Sequence, residues 1–238
     1  MNSVDHIFGK KISIQQPMKG YRVAIDPILL ANFVSIKKAD DTVLDVGCGV
    51  GAISLVLKYK NPNIKITGID IDAEMCDLCK KNALQNSLDI DVINIDIKGT
   101  HEDSVLKKQL FDHVVTNPPF FETKSSRISQ AKLMANFETV ALDTWITLCL
   151  KKLKNRGTFS IIHCASRLHD ILFSIKEKAG SIEIIPIYSK ANRSASRVII
   201  KCVKESNASV TVHPSMVIHD DCGKYKENVS EILSGKLL

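Results

Sequence analysis

The chain is 238 residues long, 45% of its residues are hydrophobic, and its formal net charge at pH 7 is +6. This length suits one large domain with a substantial core, and no apolar run reaches the roughly 18 residues of a membrane-spanning helix. The first residues lack the basic and apolar regions of a secretory signal, so we expect no membrane partner. The seven cysteines are scattered through apolar segments, which is typical of reduced thiols in a cytoplasmic protein. The mild basic excess is compatible with a polyanionic partner.

Residues 1–41 precede the regular part of the sequence and are too few for an independent domain. A turn is predicted over 19–23 and a helix over 26–34, with Pro27 at the first helical position, where a missing N–H is tolerated. We expect this N-terminal segment to pack over the active site, on top of the domain formed by residues 42–238.

From residue 42 onward, short β-rich segments alternate with helix-length segments. Strands are predicted over 42–47, 65–70, 91–96, 111–117 and 157–163. Helices are predicted over 52–60, 73–86, 102–109, 138–154 and 166–179. This alternation predicts an α/β fold in which a doubly wound, mostly parallel sheet has helices on both faces. Two further strands over 181–188 and 197–203 complete a seven-stranded sheet as an antiparallel edge pair, and a C-terminal helix is predicted over 224–234.

Three glycines at alternate positions, Gly47, Gly49 and Gly51, follow the first predicted strand. They let the backbone turn sharply and approach a ligand closely. With Ala52 they also fit the dinucleotide fingerprint G-x-G-x-x-G/A, a match that is weak when it stands alone. Glycines between a strand and a helix are common in any α/β protein, so the acidic residues around them carry more weight.

Three carboxylates lie at the ends of the first three predicted strands. Asp45, two residues before the first glycine, could accept a hydrogen bond from a ligand ammonium group. Asp70 ends the second strand, where a carboxylate can hold ribose hydroxyls, and Asp96 ends the third, where it could reach an adenine amino group. Ligands of open α/β sheets bind at the carboxyl ends of strands, where all three residues fall. Asp72 predicts a helix cap instead.

One CxxC pair, Cys76 and Cys79, lies in the middle of a predicted helix. Without a second pair at metal-ligand spacing, it favours helix packing over a metal or redox role, so we expect no metal.

The most distinctive motif, Asn117-Pro118-Pro119-Phe120, follows the fourth predicted strand. Its two prolines fix their own φ angles, remove two backbone donors and hold the preceding residues away from helical conformations. The motif therefore presents acceptors, namely the Asn117 side-chain oxygen and the neighbouring carbonyls, beside the flat face of Phe120. This arrangement suits a planar molecule that carries an NH₂ group. The alternative is a proline-rich turn with a packed phenylalanine.

Over residues 42–203, these motifs resemble those of class I S-adenosylmethionine-dependent methyltransferases. The resemblance implies a Rossmann-like methyltransferase fold with S-adenosylmethionine as the cofactor. It also implies cofactor-binding roles for the matching positions, which are Asp45, Gly47, Gly49 and Gly51 at the methionine and ribose, Asp70 at the ribose, Asp96 and Ile97 at the adenine, and Asn117.

In this group, Asn-Pro-Pro-Tyr/Phe at the end of the fourth strand marks enzymes that methylate an NH₂ nitrogen conjugated to a ring or a carbonyl. Such a nitrogen is a poor nucleophile because its lone pair is drawn into the π-system. The resemblance implies that Asn117 and Pro118 accept its two hydrogens and stabilise the developing positive charge, while Phe120 stacks on the substrate ring. A tyrosine often stands at this last position, so any role of a phenolic hydroxyl is lost here.

Three flanking segments, 16–27, 196–200 and 225–233, resemble those of bacterial tRNA(Val) adenine-N6 methyltransferases. These enzymes modify the adenine just 3′ of the anticodon. The resemblance therefore implies a tRNA substrate and methylation of adenine N6, in a cytoplasmic protein that we expect to be a monomer.

Several residues are candidates for substrate binding under this interpretation. Tyr21, Arg22 and Asp26 would close over the cofactor or shape the base pocket, although Asp26 could equally cap its helix. Lys124, Arg127 and Lys132 lie in a polar loop after the motif and are predicted to contact RNA phosphates. A second candidate patch consists of Lys190, Arg193 and Arg197. The alternative for each cluster is a solvated surface.

Other functions stay open from the sequence. A protein glutamine-N5 methyltransferase would act on the same kind of NH₂ group. Enzymes of that kind, however, are typically longer chains with a separate helical N-terminal domain. An rRNA guanine-N2 methyltransferase is a second alternative. A nicotinamide-dependent oxidoreductase would leave Asn117–Phe120 unexplained, and a catalytically silent RNA-binding protein would not depend on Asn117.

Overall fold

The computed structural model describes residues 2–19, 22–101, 106–119 and 141–236, except for the side chains of Thr100 and His101. Within these ranges the strands are β1 (Asn2–Ile7), β2 (Ile12–Pro17), β3 (Thr42–Val46), β4 (Lys65–Asp70), β5 (Asp91–Asn94), β6 (Phe111–Thr116), β7 (Leu153–Cys164), β8 (Ala179–Tyr188), β9 (Ala195–Lys204), β10 (Thr211–Val212) and β11 (Met216–Val217). The helices are α1 (Asp26–Phe33), α2 (Ala52–Lys60), α3 (Ala73–Gln85), α4 (Leu142–Lys151), α5 (Leu168–Ile175) and α6 (Glu227–Leu233), with 3₁₀ turns at Ile97–His101 and Ala165–Arg167. None of the helices in these ranges is long and apolar enough to cross a membrane.

The central sheet has the strand order β10-β8-β9-β7-β6-β3-β4-β5, and β11 also pairs with β8. Strands β5, β4, β3, β6 and β7 pair in parallel, whereas β9 runs antiparallel between β7 and β8. The predicted fold class is therefore confirmed. The seven predicted strands are β3–β9, and the two short strands β10 and β11 bring the described sheet to nine.

Helices cover both faces of the sheet, because its central strands carry apolar side chains on both sides. Val43 and Leu44 are consecutive on β3 and both fully buried, yet they belong to different core clusters. Because successive strand residues point to opposite faces, the two clusters lie on opposite sides of the sheet. One cluster includes residues of α1, α2, α3 and α6, and the other includes residues of α4 and α5. Burial on both faces explains why the central strands are continuous apolar runs.

Most differences from the predicted elements occur at their ends. The predicted helix over 138–154 is α4, which ends at Lys151 because the chain continues as strand β7 from Leu153. The third strand ends at Asn94, two residues early, because the next residues turn into a 3₁₀ helix. A helix was predicted over 102–109, but residues 106–108 form a turn and 102–105 lie outside the described residues.

An N-terminal hairpin of β1 and β2 is the element that sequence reasoning missed. Side-chain amides of α3 bind its backbone: Asn82 Oδ1 accepts from Gln15 N at 2.7 Å, and Asn82 Nδ2 donates to Gln15 O at 2.9 Å. Asn86 bonds both backbone groups of Ser13 in the same way. These asparagine side chains thus provide hydrogen-bond partners for the backbone groups at the β2 edge of the hairpin, where another strand would otherwise pair.

The turn of this hairpin packs against the segment after α6. Lys11 Nζ donates to Gly235 O at 2.8 Å, across 224 positions of the chain. Phe8 is 1% exposed there, and a Cβ at Gly9 would lie 2.2 Å from Ser234 O. The hairpin is therefore seated on α3 and on the C-terminal segment. The prediction that residues 1–41 pack over the active site stays a prediction.

Candidate functional site

The carboxyl ends of the parallel strands bring the predicted cofactor residues to one edge of the sheet. Strands β3 and β6 pair in parallel with Val46 opposite Thr116. The glycine turn that follows Val46 therefore begins beside Asn117, which follows Thr116. On the other side of β3, Val46 is paired with Ile69 of β4, so Asp70 lies next to the same turn.

The glycine turn, residues 47–51, is held against β4 and α3. Gly47 N and Cys48 N both donate to Ile69 O, at 2.9 and 3.0 Å. Gly51 precedes α2 with a φ of +92°, and a Cβ there would lie 2.6 Å from Cys79 Sγ. Any other residue at position 51 would adopt an unfavourable backbone conformation and push the Cys79 side chain aside. Cys79 thus acts in helix packing, and the described residues contain no cluster of three or more metal-ligating side chains.

Asp45 is fully buried beneath this turn. Its Oδ2 accepts from Ser54 Oγ at 2.6 Å and from Ser54 N at 3.2 Å, whereas its Oδ1 has no hydrogen-bond partner among the described residues. Burial raises the pKa of Asp45 to about 7, against the opposing effect of the bonds from Ser54. An unsatisfied buried acceptor is costly. The arrangement therefore fits a ligand that brings a cationic donor, as the ammonium group of S-adenosylmethionine would.

Asp70 is half-buried and supports the glycine turn directly. Its Oδ2 accepts from Gly49 N at 2.8 Å, and its Oδ1 accepts from Asp72 N at 2.9 Å. Burial raises the pKa of Asp70 above its ordinary value. The carboxylate is thus oriented by two backbone donors, and its predicted contact with ribose hydroxyls stays a prediction. Asp72 caps α3 as predicted, because its side chain accepts from the N–H groups of Glu74 and Met75.

Asp96 and Ile97 form the start of the 3₁₀ turn after β5. Asp96 Oδ1 accepts from Lys98 N at 2.9 Å and so caps this turn, while the Ile97 side chain is 3% exposed and packs in the core. Their predicted place at the adenine is compatible with this position and stays a prediction.

The Asn-Pro-Pro segment lies directly after β6. Asn117 is half-buried with its Oδ1 screened from solvent, Pro118 is buried and Pro119 is exposed. The other residues predicted at this side of the site, Phe120, Lys124, Arg127, Lys132 and Tyr21, lie outside the described residues.

A residue that sequence reasoning missed, Trp145 of α4, stands against the glycine turn. Its ring atom Cζ2 lies 3.3 Å from the position of a Cβ on Gly47, and its Nε1 donates to Thr116 Oγ1 at 3.1 Å. Thr116 in turn donates to Val46 O at 2.8 Å. The one tryptophan of the chain was an available signal, because a buried indole N–H needs an acceptor.

Most of the strands that end at this edge of the sheet lie within a segment that matches a known protein family. The model of the methyltransferase small domain matches residues 26–162. The chain belongs to this methyltransferase family. The prediction of S-adenosylmethionine as its cofactor is confirmed with the family, and Asp45 and the glycine turn provide a fitting site.

Curated relatives of this methyltransferase match along most of their length. The tRNA1(Val) (adenine(37)-N6)-methyltransferase of Porphyromonas gingivalis is 25% identical, over 91% of the chain and 88% of the relative. The enzyme of the same description from a Flavobacteriaceae bacterium is 28% identical, over 85% of each chain. The one from Shewanella baltica is 25% identical, over 94% of the chain and 95% of the relative.

Solved structures share the fold. A protein described as a predicted O-methyltransferase from Agrobacterium tumefaciens superposes with a TM-score of 0.70 at 20% identity, covering 89% of this chain and 96% of that one. A 16S rRNA N2 methyltransferase of T. thermophilus, in complex with AdoMet and guanosine, gives a TM-score of 0.61 at 18% identity, covering 86% of this chain and 50% of that one.

In the methyltransferase, Arg22 and Asp26 have partners within the protein. Arg22 Nη2 lies 2.6 Å from Asp5 Oδ2 on β1, and Asp26 Oδ2 accepts from Arg197 Nε at 3.0 Å. Helix α1 has no side-chain cap, so Asp26 does not cap it. Lys190 and Arg193 of the second candidate patch are exposed, whereas Arg197 is partly buried in its ion pair with Asp26. The substrate-binding roles of these residues stay predictions.

Proposed function

We propose that this methyltransferase transfers the methyl group of S-adenosylmethionine to the exocyclic N6 of an adenine in tRNA, next to the anticodon. The observation that carries the proposal is the adjacency of the glycine turn and Asn117 at the ends of the paired strands β3 and β6. The curated relatives are described as tRNA1(Val) (adenine(37)-N6)-methyltransferases and match most of the chain, which supports the choice of substrate.

The bound cofactor supplies an electrophilic methyl group, and Asp45 and the glycine turn would hold it. The residues after β6 act on the acceptor nitrogen. Adenine N6 is conjugated to the ring, so its lone pair is delocalised and its nucleophilicity is low. Two acceptors, the Asn117 side-chain oxygen and the Pro118 carbonyl, would bind its two hydrogens and favour a tetrahedral nitrogen with its lone pair directed at the methyl group.

The same two acceptors would stabilise the positive charge that develops on nitrogen during the transfer. S-adenosylhomocysteine would be the leaving group, and the methylated nitrogen would lose one proton to solvent to give the neutral product. Fixed positions for nucleophile and methyl group lower the barrier further. Phe120 would stack on the adenine, a contact worth about 1–3 kcal/mol per base in single-stranded complexes. An anticodon loop exposes unstacked bases, so the target adenine can enter the pocket at low cost. Lys124, Arg127 and Lys132 would contact the phosphates around it.

The proposal is tested by incubating the protein with labelled S-adenosylmethionine and unmodified tRNA, followed by nucleoside mass spectrometry. We expect N6-methyladenosine, and its loss in Asn117→Ala, because that variant lacks the side-chain acceptor. Asn63→Ala is a matched control, since Asn63 is exposed in the loop before β4, at the opposite edge of the sheet. A tRNA with guanine in place of the adenine 3′ of the anticodon should accept no label. Methylated guanine, or label found in protein alone, would contradict the proposal.

A further inference from the structure

Two hydrogen bonds in series connect three elements at the carboxyl edge of the sheet. Trp145 Nε1 of α4 donates to Thr116 Oγ1 of β6 at 3.1 Å, and Thr116 Oγ1 donates to Val46 O of β3 at 2.8 Å. Thr116 is fully buried and Trp145 is partly buried. We call this series the Trp145–Thr116 link.

The link lies at the base of both functional segments. Val46 is the residue before the glycine turn, and Thr116 is the residue before Asn117. These two residues form the last paired position of β3 and β6, so the backbone ladder ends where the two segments diverge. The bond from Thr116 Oγ1 to Val46 O continues the connection between the strands at this end.

The indole ring adds a second constraint, on the glycine turn itself. Its Cζ2 and Cη2 atoms lie 3.3 and 3.4 Å from the position that a Cβ on Gly47 would occupy. The bond to Thr116 determines how far the ring reaches over this glycine. A phenylalanine would retain an aromatic face but has no N–H to fix its depth.

We propose that Trp145 and Thr116 are positioning residues for methyl transfer, which set the spacing between the glycine turn and Asn117. This inference rests on the proposed function, in which the turn holds the methyl donor and Asn117 holds the acceptor nitrogen. Transfer rates are sensitive to such spacing, since a misplacement of about 1 Å can cost about a hundredfold in rate. Neither residue touches the reacting atoms in this role.

The first test replaces the hydroxyl of the link. Thr116→Val keeps the shape of the side chain but leaves the indole N–H and the Val46 carbonyl without this partner. We expect kcat to fall tenfold or more, with KM for S-adenosylmethionine changed less than threefold, and Thr116→Ser to restore most of kcat. Thr67→Val is the matched control, because Thr67 is a buried threonine in the middle of β4. An unchanged kcat in Thr116→Val, or a loss that Thr116→Ser does not restore, overturns the inference.

The second test asks whether the two residues act as one unit. Trp145→Phe should lower kcat to a similar extent as Thr116→Val, and the double variant should lose no more than the more severe single variant. Losses that multiply in the double variant would show that the two side chains act independently and would overturn the link.

The third test is independent of the RNA substrate. Since Trp145 is the only tryptophan in the sequence, its emission reports the link directly. We expect S-adenosylhomocysteine to change the emission of the unaltered protein, and Thr116→Val to shift the emission of the unliganded protein. An emission that responds to neither overturns the inference. If the protein methylates no adenine in tRNA but both emission changes occur, the proposed function fails while the link stands.

Discussion

At the scale of single residues, burial changes the pKa of Asp45, a property that its place in the sequence motif does not reveal. The sequence predicts a carboxylate at the cofactor's ammonium group, whereas the structure places it beneath the glycine turn with a pKa of about 7. With the predicted contact to the ammonium group, protonation of Asp45 would compete with cofactor binding near neutral pH. Ser54 orients this carboxylate through its Oδ2, while Oδ1 is buried without a hydrogen-bond partner among the described residues. No motif indicates this serine, because its contribution depends on how α2 packs on β3.

We predict that the affinity for S-adenosylmethionine falls as the pH is lowered from 8 to 5.5. The cofactor's cation favours the ionised carboxylate, so the affinity should fall up to tenfold per pH unit below about pH 7. Asp45→Asn should weaken binding about tenfold to a hundredfold at pH 8 and flatten this profile. Isothermal titration across this pH range measures both effects. Asp77→Asn, an exposed change on α3, serves as the control.

The same pKa shift has an opposite consequence for the unliganded protein. The folded pKa of Asp45 lies above its ordinary value, so the folded state binds more protons than the unfolded state between about pH 4 and 7. The contribution of Asp45 to the free energy of unfolding therefore falls as the pH rises through this window. Asp45→Asn should raise Tm at pH 8 while it weakens cofactor binding. An unchanged Tm together with an unchanged pH profile would falsify the assignment of this shift.

At the scale of elements, α3 connects the N-terminal hairpin to the glycine turn. Asn82 is fully buried, and its Nδ2 donates to Val50 O as well as to Gln15 O, both at 2.9 Å. One side-chain amide thus holds strand β2 and the turn that would bind the cofactor. A sequence pattern cannot indicate this, since Gln15 and Asn82 are 67 positions apart.

We predict that Asn82→Ala lowers the free energy of unfolding by about 2–4 kcal/mol, because several buried backbone groups lose their partner. It should also weaken cofactor binding, since Val50 O in the glycine turn is one of those groups. Asn86→Ala is the matched control: Asn86 bonds Ser13 of the same hairpin and the α3 carbonyl of Asn82, and within the described part of the chain it has no hydrogen bond to the turn. Urea denaturation and titration with S-adenosylhomocysteine separate the two effects. Equal losses of affinity in both variants would exclude a direct coupling.

At the scale of the whole molecule, the sequence predicts the sheet and the family but not all contacts at the site. The alternation from residue 42 onward predicts β3–β9 because strands buried on both faces are apolar and separated by helix-length segments. The hairpin is missed because most of the residues in its two strands are polar and because asparagine side chains from 67 to 73 positions away bind its backbone. The motif residues are found by spacing, whereas Thr116 and Trp145 act through tertiary contacts that spacing does not reveal.

The formal net charge of the chain is +6, and we predict that the basic residues after the Asn-Pro-Pro segment contribute measurably to tRNA binding. Lys124→Ala and Arg127→Ala should each weaken tRNA binding and reduce the slope of log affinity against log salt by about 1. Lys176→Ala removes an exposed charge after α5, at the opposite edge of the sheet, and should leave the slope unchanged. Fluorescence anisotropy with labelled tRNA at several salt concentrations measures the slopes. If the Lys124 and Arg127 variants match the control, these residues do not contact phosphates.

The contacts between the hairpin turn and the segment after α6 affect the order in which the protein can fold during synthesis. A ribosome adds residues in order, and domains generally fold as they emerge. Strands β1 and β2 leave the ribosome before α3 and can bind it once residue 86 is free, yet the partner of Lys11 is Gly235. The hairpin turn therefore obtains its last contacts only when nearly all of the described chain has been synthesised. The contacts of the turn with Ser234 and Gly235 therefore become available later in synthesis than those of the two strands with α3.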